Sequence, residues 1–264
     1  MKDFFAKEKI EAYALCPYSQ VSLLRERKLA PLRKEWGSDP RWVLVFLAPY
    51  YVGEEEGNLS LYARSRDYHL YFEEVFSRLK EYLKQKGLPW RFYGFSDNSP
   101  INEVELAARC GLGVRGDHGL LIHPRYGSYV FIGELFFEEK PNLEVVSLGE
   151  PKGCSHCGAC QRACPVGKIG ERCLSELSQK KRLTEEEERL LAQHGILWGC
   201  DACQQACPCN KEASLSPLPF FWKERIPFLN EEILMQLYQE GLLEQRAFAW
   251  RGIQVLLRNL SLTL

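Results

Sequence analysis

The sequence has no long apolar run. The longest, Trp42 to Val52, is too short to span a bilayer and is broken by Pro49, so no membrane-spanning helix and no membrane partner are expected. An apolar leader core is also missing. The first nine residues, Met-Lys-Asp-Phe-Phe-Ala-Lys-Glu-Lys, mix acids with lysines, which excludes a secretory signal. Neither sign of charge is in excess: 34 Lys and Arg against 35 Asp and Glu leave a net charge of −1. No general field for polyanions is implied. There is no low-complexity tract, and nothing repeats except two cysteine half-motifs. What remains is 264 residues, 45% hydrophobic and 26% charged, an ordinary globular composition with chain enough for one or two cored domains.

Cysteine is abundant, with 11 in the chain, and eight of them fall in metal-type spacing. One run reads Cys154-Ser-His-Cys157-Gly-Ala-Cys160-Gln-Arg-Ala-Cys164-Pro165. Cys173 follows, and then Cys200-Asp-Ala-Cys203-Gln-Gln-Ala-Cys207-Pro208. Gaps of two, two and three residues before a Pro are the spacing of a bacterial ferredoxin half, whose fourth cysteine ligates the other cluster. The spacing predicts two 4Fe–4S clusters. Cys154, Cys157, Cys160 and Cys207 would hold one, and Cys164, Cys173, Cys200 and Cys203 the other. Zinc would accept Cys-x-x-Cys pairs, but two tetrahedral sites do not require four cysteines in one run ending in Pro. Disulfides suit short secreted chains. The cysteine usage points instead to a reducing cytoplasm.

Along the chain, residues 1–35 read as amphipathic helix interrupted at Cys16-Pro17, with Cys16 a buried apolar residue rather than a reactive thiol. Trp42 to Ala48 reads as a buried strand, and Gly53 to Gly57 as a solvated acidic loop. Helical spacing runs from Ser65 to Lys86 and stops at Gly87. Arg91 to Ser96 reads as a strand. Ser99-Pro100 supplies an N-cap and a first helical position for a helix ending at Cys110-Gly111. Strands are expected at Leu120–His123 and Tyr129–Phe137. The pattern predicts an α+β chain: a mixed α/β sheet domain over 1–147, then a bacterial ferredoxin-like double-cluster domain over 148–214, then a helical segment over 215–264. Between the cysteine runs, Thr184-Glu-Glu-Glu187 reads as a capping box for a helix to His194. Two helices, Asn230–Glu240 and Leu243–Asn259, are expected to close the chain.

Gly111-Leu-Gly113-Val-Arg-Gly116 matches the dinucleotide fingerprint by letter. That fingerprint follows a strand and opens a helix, whereas here a helix precedes and a strand follows. The glycines read instead as a turn, or as backbone approaching something flat and bulky. Asp97 stands before a helix, where capping or turn formation is the usual role.

Several short motifs stand in one order: Leu61-Tyr-Ala-Arg-Ser-Arg-Asp-Tyr-His69, Asp97-Asn-Ser-Pro100-Ile-Asn-Glu103, Leu106-Ala-Ala-Arg-Cys-Gly-Leu-Gly113, and Tyr126-Gly-Ser128 to Gly133-Glu-Leu135. With Gly199-Cys-Asp-Ala-Cys-Gln-Gln-Ala-Cys-Pro208 and Asn210, they resemble the epoxyqueuosine reductase family over nearly the whole chain. The resemblance implies an amino-terminal cobalamin domain and two 4Fe–4S clusters that pass electrons from an external donor to cobalt. The implied reaction reduces the epoxide of epoxyqueuosine in tRNA to the alkene of queuosine. It implies Asp97 as the acid that protonates the departing oxygen, since an alkoxide leaving group benefits from a nearby carboxylic acid. Tyr62, Arg64, Asp67, His69, Ser99, Gly113, His118 and Ser128 match positions expected to bind the cofactor.

Three features depart from the family pattern. Val114 stands for its Trp, Gly116-Asp117 for its Gly-Lys, and Cys207-Pro-Cys209-Asn210 for its Cys-Pro-Trp-Asn. The chain stops at Leu264, near the opening of the family's carboxy-terminal repeats, so a shortened member is expected, acting on tRNA or on a related small substrate. Two other readings stand beside it: an iron–sulfur protein that passes electrons to a corrinoid partner, and an iron–sulfur module that has lost catalysis.

Overall fold

A computed structural model describes residues 1–167, 169 and 172–263. The strands are β1 (Tyr13–Pro17), β2 (Trp42–Pro49) and β3 (Phe92–Ser96), then a small ribbon of β4 (Val114–Arg115) and β5 (Leu121–Ile122), then β6 (Val130–Phe137). Four of them form an antiparallel sheet in the order β1-β2-β6-β3. Helices α1 (Lys2–Lys7), α2 (Ala30–Trp36), α3 (Tyr68–Gln85) and α4 (Glu103–Arg109) cover it.

Strand alternation sorts the apolar run of β2 onto two faces. Leu44, Phe46 and Ala48 pack with Phe72, Val75 and Leu79 of α3 and with Phe4 and Phe5 of α1. Val43, Val45 and Leu47 pack with Leu32 and Trp36 of α2 and with Leu106 and Ala107 of α4. Both faces are covered, which is why the run is continuously apolar rather than alternating. α3 fits closely because β6 presents Gly133 beneath it: a Cβ there would lie 2.3 Å from the Phe72 ring. Truncating Phe72, which is fully buried, would cost about 3–5 kcal/mol.

The second half is helical: α5 (Ala159–Ala163), α6 (Leu174–Gln179), α7 (Glu185–His194), α8 (Ala202–Gln205), α9 (Glu231–Gln239) and α10 (Ile253–Thr263). α5 and α8 each follow the start of a cysteine run, and they pack on one another. α7 opens on the Thr184–Glu187 capping box and stops at the left-handed Gly195. Trp198, Leu234, Phe248 and Leu256 form a separate core that takes in Leu59 and Ala63 from the first half. No helix among the described residues is long and apolar enough to cross a membrane.

Three segments differ from the sequence expectation. Cys16-Pro17 closes β1 rather than interrupting a helix, because an edge strand tolerates a residue without an N–H. α4 starts at Glu103, capped by Asn102 accepting from the Glu105 amide at 3.1 Å, not at Ser99-Pro100. The expected helix over Leu243–Asn259 is two short 3-10 turns followed by α10, broken at Gly252, whose φ is +90°.

Candidate active site

A cavity of about 800 Å³ opens between the sheet domain and the cysteine runs, lined by Tyr62, Asp67, His69, Asp97, His118 and Ser128 among others. The same cavity meets Cys173, Cys200 and Cys203. β3 delivers Asp97, the residue after its last. The turn beyond is tight, with Asn98 N donating to Ser96 O at 2.7 Å and Ser99 N to Asp97 O at 2.8 Å. Asp97 is held at φ +62°, the left-handed region that Asp enters more readily than most residues.

The first turn of α3 faces that loop. Asp67 caps the helix by accepting from His69 N at 2.9 Å, and the same oxygen bonds His69 Nδ1 at 2.8 Å. This bond, ahead of the opposing burial, raises the His69 pKa above its ordinary value. His69 Nε2 lies 3.9 Å from Asp97 Oδ2. Tyr68 donates its hydroxyl to that same oxygen at 2.9 Å. Burial, and then the charge of Asp97, push the Tyr68 pKa far up, so its hydroxyl stays a donor. Its ring stacks on Phe131 with centroids 4.2 Å apart. Tyr62, also pushed up by burial, accepts from Trp198 Nε1 at 3.0 Å.

Ser128 is buried and joins the two halves. Its amide donates to Asn210 Oδ1 at 2.7 Å, and its hydroxyl accepts from Asn210 Nδ2 at 2.8 Å and from Gln204 Nε2 at 3.1 Å. A second tie is Asp201, inside the Cys200–Cys203 loop, which accepts from Ser60 Oγ at 2.5 Å and Leu61 N at 2.7 Å. These bonds fix the second cysteine run against the segments that carry Tyr62 and Ser128.

Three residues expected at the cofactor do not line the cavity. The Arg64 guanidinium is spent on Leu59 O at 2.8 Å and Glu55 O at 2.5 Å. Ser99 is sealed beneath the Asp97 turn. Gly113 lies against backbone, where a Cβ would meet Ile122 O at 2.5 Å. Conversely, Tyr68, Tyr50, Gln204 and Trp250 reach the cavity without having been singled out. Tyr68 and Gln204 lie inside runs that were, but no feature of those runs marked them.

The cysteines form two groups. Cys154, Cys157, Cys160 and Cys207 share one small cavity with Cys209 and His118. Cys200 feels the charges of Cys173 and Cys164, after its own burial, and is pushed up to about 11. Cys203, half-buried and beside Cys200 and Cys173, is pushed up to about 12. Thiols crowded like this ionise together only around a cationic core, so the donor set suits a metal cluster. Tetrahedral zinc would bring its sulfurs to about 3.8 Å from one another, given Zn–S of about 2.3 Å. Among the described residues the only trio of potential ligand atoms within 4.8 Å of one another is Asp117, Cys154 and His156. Asp117 pairs with His156 Nδ1 at 2.8 Å, so the acid that replaces a family lysine has a local partner. The large cavity also fits a bulky cofactor: it lies within the size range of ligand pockets, and His118 Nε2, on its wall, is buried without a hydrogen-bond partner.

Residues 153–210 match a family described as a 4Fe-4S double cluster binding domain. The epoxyqueuosine reductase of Escherichia coli K12 is 34% identical over 169 residues, 61% of this chain and 43% of that protein. That of Listeria monocytogenes is 30% identical over 228 residues, 79% of this chain and 58% of that one. The chain thus spans about half the length of the curated relatives it matches. An epoxyqueuosine reductase solved with an epoxyqueuosine-modified tRNA-Tyr stem loop shares the fold, with a TM-score of 0.75 at 21% identity, over 100% of this chain and 80% of that one.

Proposed function

The chain belongs to the epoxyqueuosine reductase family, and from that premise we propose that it is a cobalamin-dependent iron–sulfur reductase of epoxyqueuosine in tRNA, or of a related small epoxide. The observation that carries this reading is the single cavity of about 800 Å³ onto which Asp97, His69 and Ser128 open together with Cys173, Cys200 and Cys203. Proton donor and electron source converge on one space.

Asp97 is the acid for the departing oxygen. Tyr68 orients its carboxyl, and His69, held by Asp67, adds a positive charge beside it when protonated. Tyr62, Asp67, His69, His118 and Ser128 would hold the corrin; bound there, it would supply a low-valent cobalt able to attack or reduce the epoxide. Cys164, Cys173, Cys200 and Cys203 would hold a 4Fe–4S cluster nearer the cavity. Cys154, Cys157, Cys160 and Cys207 would hold the outer one, where the exposed Cys157 suits electron entry from an external donor in a reducing cytoplasm. The divisions 1–147, 148–214 and 215–264 correspond to cofactor and substrate binding, the clusters, and a closing helical segment.

An RNA substrate is supported by the cavity rim. Trp250 is 59% exposed there, and the Arg251 guanidinium lies 3.7 Å from its ring centroid. Such a face suits stacking of an unpaired base. The test is turnover of an epoxyqueuosine-modified tRNA stem loop by the reduced, cobalamin-supplemented protein, read by mass spectrometry as loss of one oxygen. Asp97→Asn should abolish that loss while the cluster and corrin spectra stay unchanged; undiminished turnover by this variant would remove Asp97 from the role. Clusters that reduce and reoxidise without corrin binding or turnover would favour an electron-transfer protein instead.

A further inference from the structure

Glu134 stands in the middle of β6, opposite Val45 of β2 and Phe95 of β3. Its side chain is fully buried, and neither carboxyl oxygen has a hydrogen-bond partner. Alternation along β6 puts it on the face of Ile132 and Phe136, the apolar face packed by α4. A charge in such a place costs far more than a proton does, so the group is neutral. Phe95, its neighbour across the sheet, is two residues before Asp97.

The first residue of α4 is another acid, Glu103, and its Oε1 is also sealed from solvent without a partner. Burial, followed by the charge of Asp97, pushes Glu103 up to about 8, against the opposing pull of Arg25 and the Asp97 amide. Burial also drives Glu134 well above the ordinary carboxylate range, with Glu103 and then Asp97 adding to it. The charged or polar groups facing this pair are therefore Asp97, Arg25 and the Ser99 hydroxyl. Asp97 itself faces Tyr68 and His69.

The proposed reaction sets a proton requirement. Converting an epoxide to an alkene breaks two C–O bonds, forms one C=C bond, consumes two electrons and two protons, and releases the oxygen as water. The electrons come from an external one-electron reductant through the clusters. Asp97, the proposed acid, delivers one of the two protons. It opens onto the cavity, and cofactor and substrate filling that space would cut it off from bulk water.

We propose that Glu103 and Glu134 form a buried proton store behind Asp97, in which Glu103 returns the second proton through the Asp97 carboxyl and Glu134 stays protonated to stabilise the Glu103 anion left behind. This rests on the reductase reading. Glu103 and Glu134 are positioning residues, since neither lines the cavity. Glu103 refills from solvent, beside Arg25 at the cavity wall, once product has left.

The test has two parts on the full, cluster-loaded chain. Infrared titration with ¹³C-labelled glutamate should find two protonated glutamates at neutral pH. One, absent in Glu134→Gln, persists well above the ordinary carboxylate range; the other, absent in Glu103→Gln, is lost near pH 8. Single-turnover reduction of the modified stem loop should then slow at least about tenfold in Glu103→Gln. The fall in rate as pH rises through about 8 should vanish, with iron content unchanged and partial rescue by Glu103→Asp. Wild-type glutamates that all titrate in the ordinary carboxylate range would overturn the store, as would an alkaline limb that survives in Glu103→Gln. A wild-type protein that holds both protons yet reduces no epoxide would instead overturn the assigned reaction and leave the store established.

Discussion

Removing the Asn210 side chain opens the joint between the second cysteine run and the cavity wall. In Asn210→Ala the buried Ser128 amide loses its acceptor and Gln204 O loses its donor, bonds of 2.7 Å each. Two buried groups left unpaired cost about 3 kcal/mol together. Gly127 adjoins the same joint: its φ is +58°, and a Cβ there would lie 2.2 Å from Asn210 Oδ1. Gly127→Ala would expel Asn210, losing the same 3 kcal/mol or so, and add about 1 kcal/mol for a side chain in the left-handed region. The double variant loses the joint only once, so it should cost about 4 kcal/mol rather than the roughly 7 kcal/mol of simple addition, a coupling at the upper end for contacting residues. Hydrogen exchange of segment 126–131 reads this locally, without requiring a two-state protein. Opening should increase roughly 100-fold in Asn210→Ala and roughly 1,000-fold in both Gly127→Ala and the double variant, at about 1.4 kcal/mol per decade. Effects that multiply in the double variant would refute the shared joint.

Two further outcomes follow from the loop around Asp97. Tyr68→Phe removes the 2.9 Å bond to Asp97 and should lower kcat about tenfold, at the scale of a hydrogen bond to a charged group, with iron content and circular dichroism unchanged; unaltered kcat would contradict the orienting role. His69 should titrate above its ordinary value, and Asp67→Asn should bring it down, read by NMR of the ring protons. Because the pKa is raised in the fold, the stabilisation from this pair is complete below the unfolded value of about 6.5 and fades as pH rises through the folded one. Asp67→Asn should flatten that part of the stability profile.

Elements with strong local signals were legible in the sequence. β2 announced itself as an apolar run, α3 by its spacing, and α7 by its capping box, because burial and capping leave marks within a few residues. The edge strand β1 did not, since an edge tolerates Pro17 and its pairing partner lies some thirty residues away. Ser99-Pro100 carried the letters of a helix start, but the Asp97 turn absorbs both residues, and Asn102 caps instead. Within the site, the resemblance put Asp97, His69 and Ser128 among the expected positions, and all three meet at one cavity. Arg64 was misleading because a buried arginine bound to carbonyls is indistinguishable by letter from one that binds a ligand. Glu134 had a signal that could have been read: a lone acid within an apolar strand, on the face that alternation assigns to the core. Which acids lie near it is set by tertiary packing, and no spacing rule reaches that.

Iron and sulfide counting after anaerobic purification, followed by optical titration with cob(II)alamin, tests whether two clusters and a corrin share this chain. About eight irons with matching sulfide, as two cubanes require, and a saturable shift of the corrin spectrum are expected. Zinc in place of iron would contradict the ligand assignment of all eight cysteines, and eight irons with no corrin binding would contradict the assigned role of the cavity.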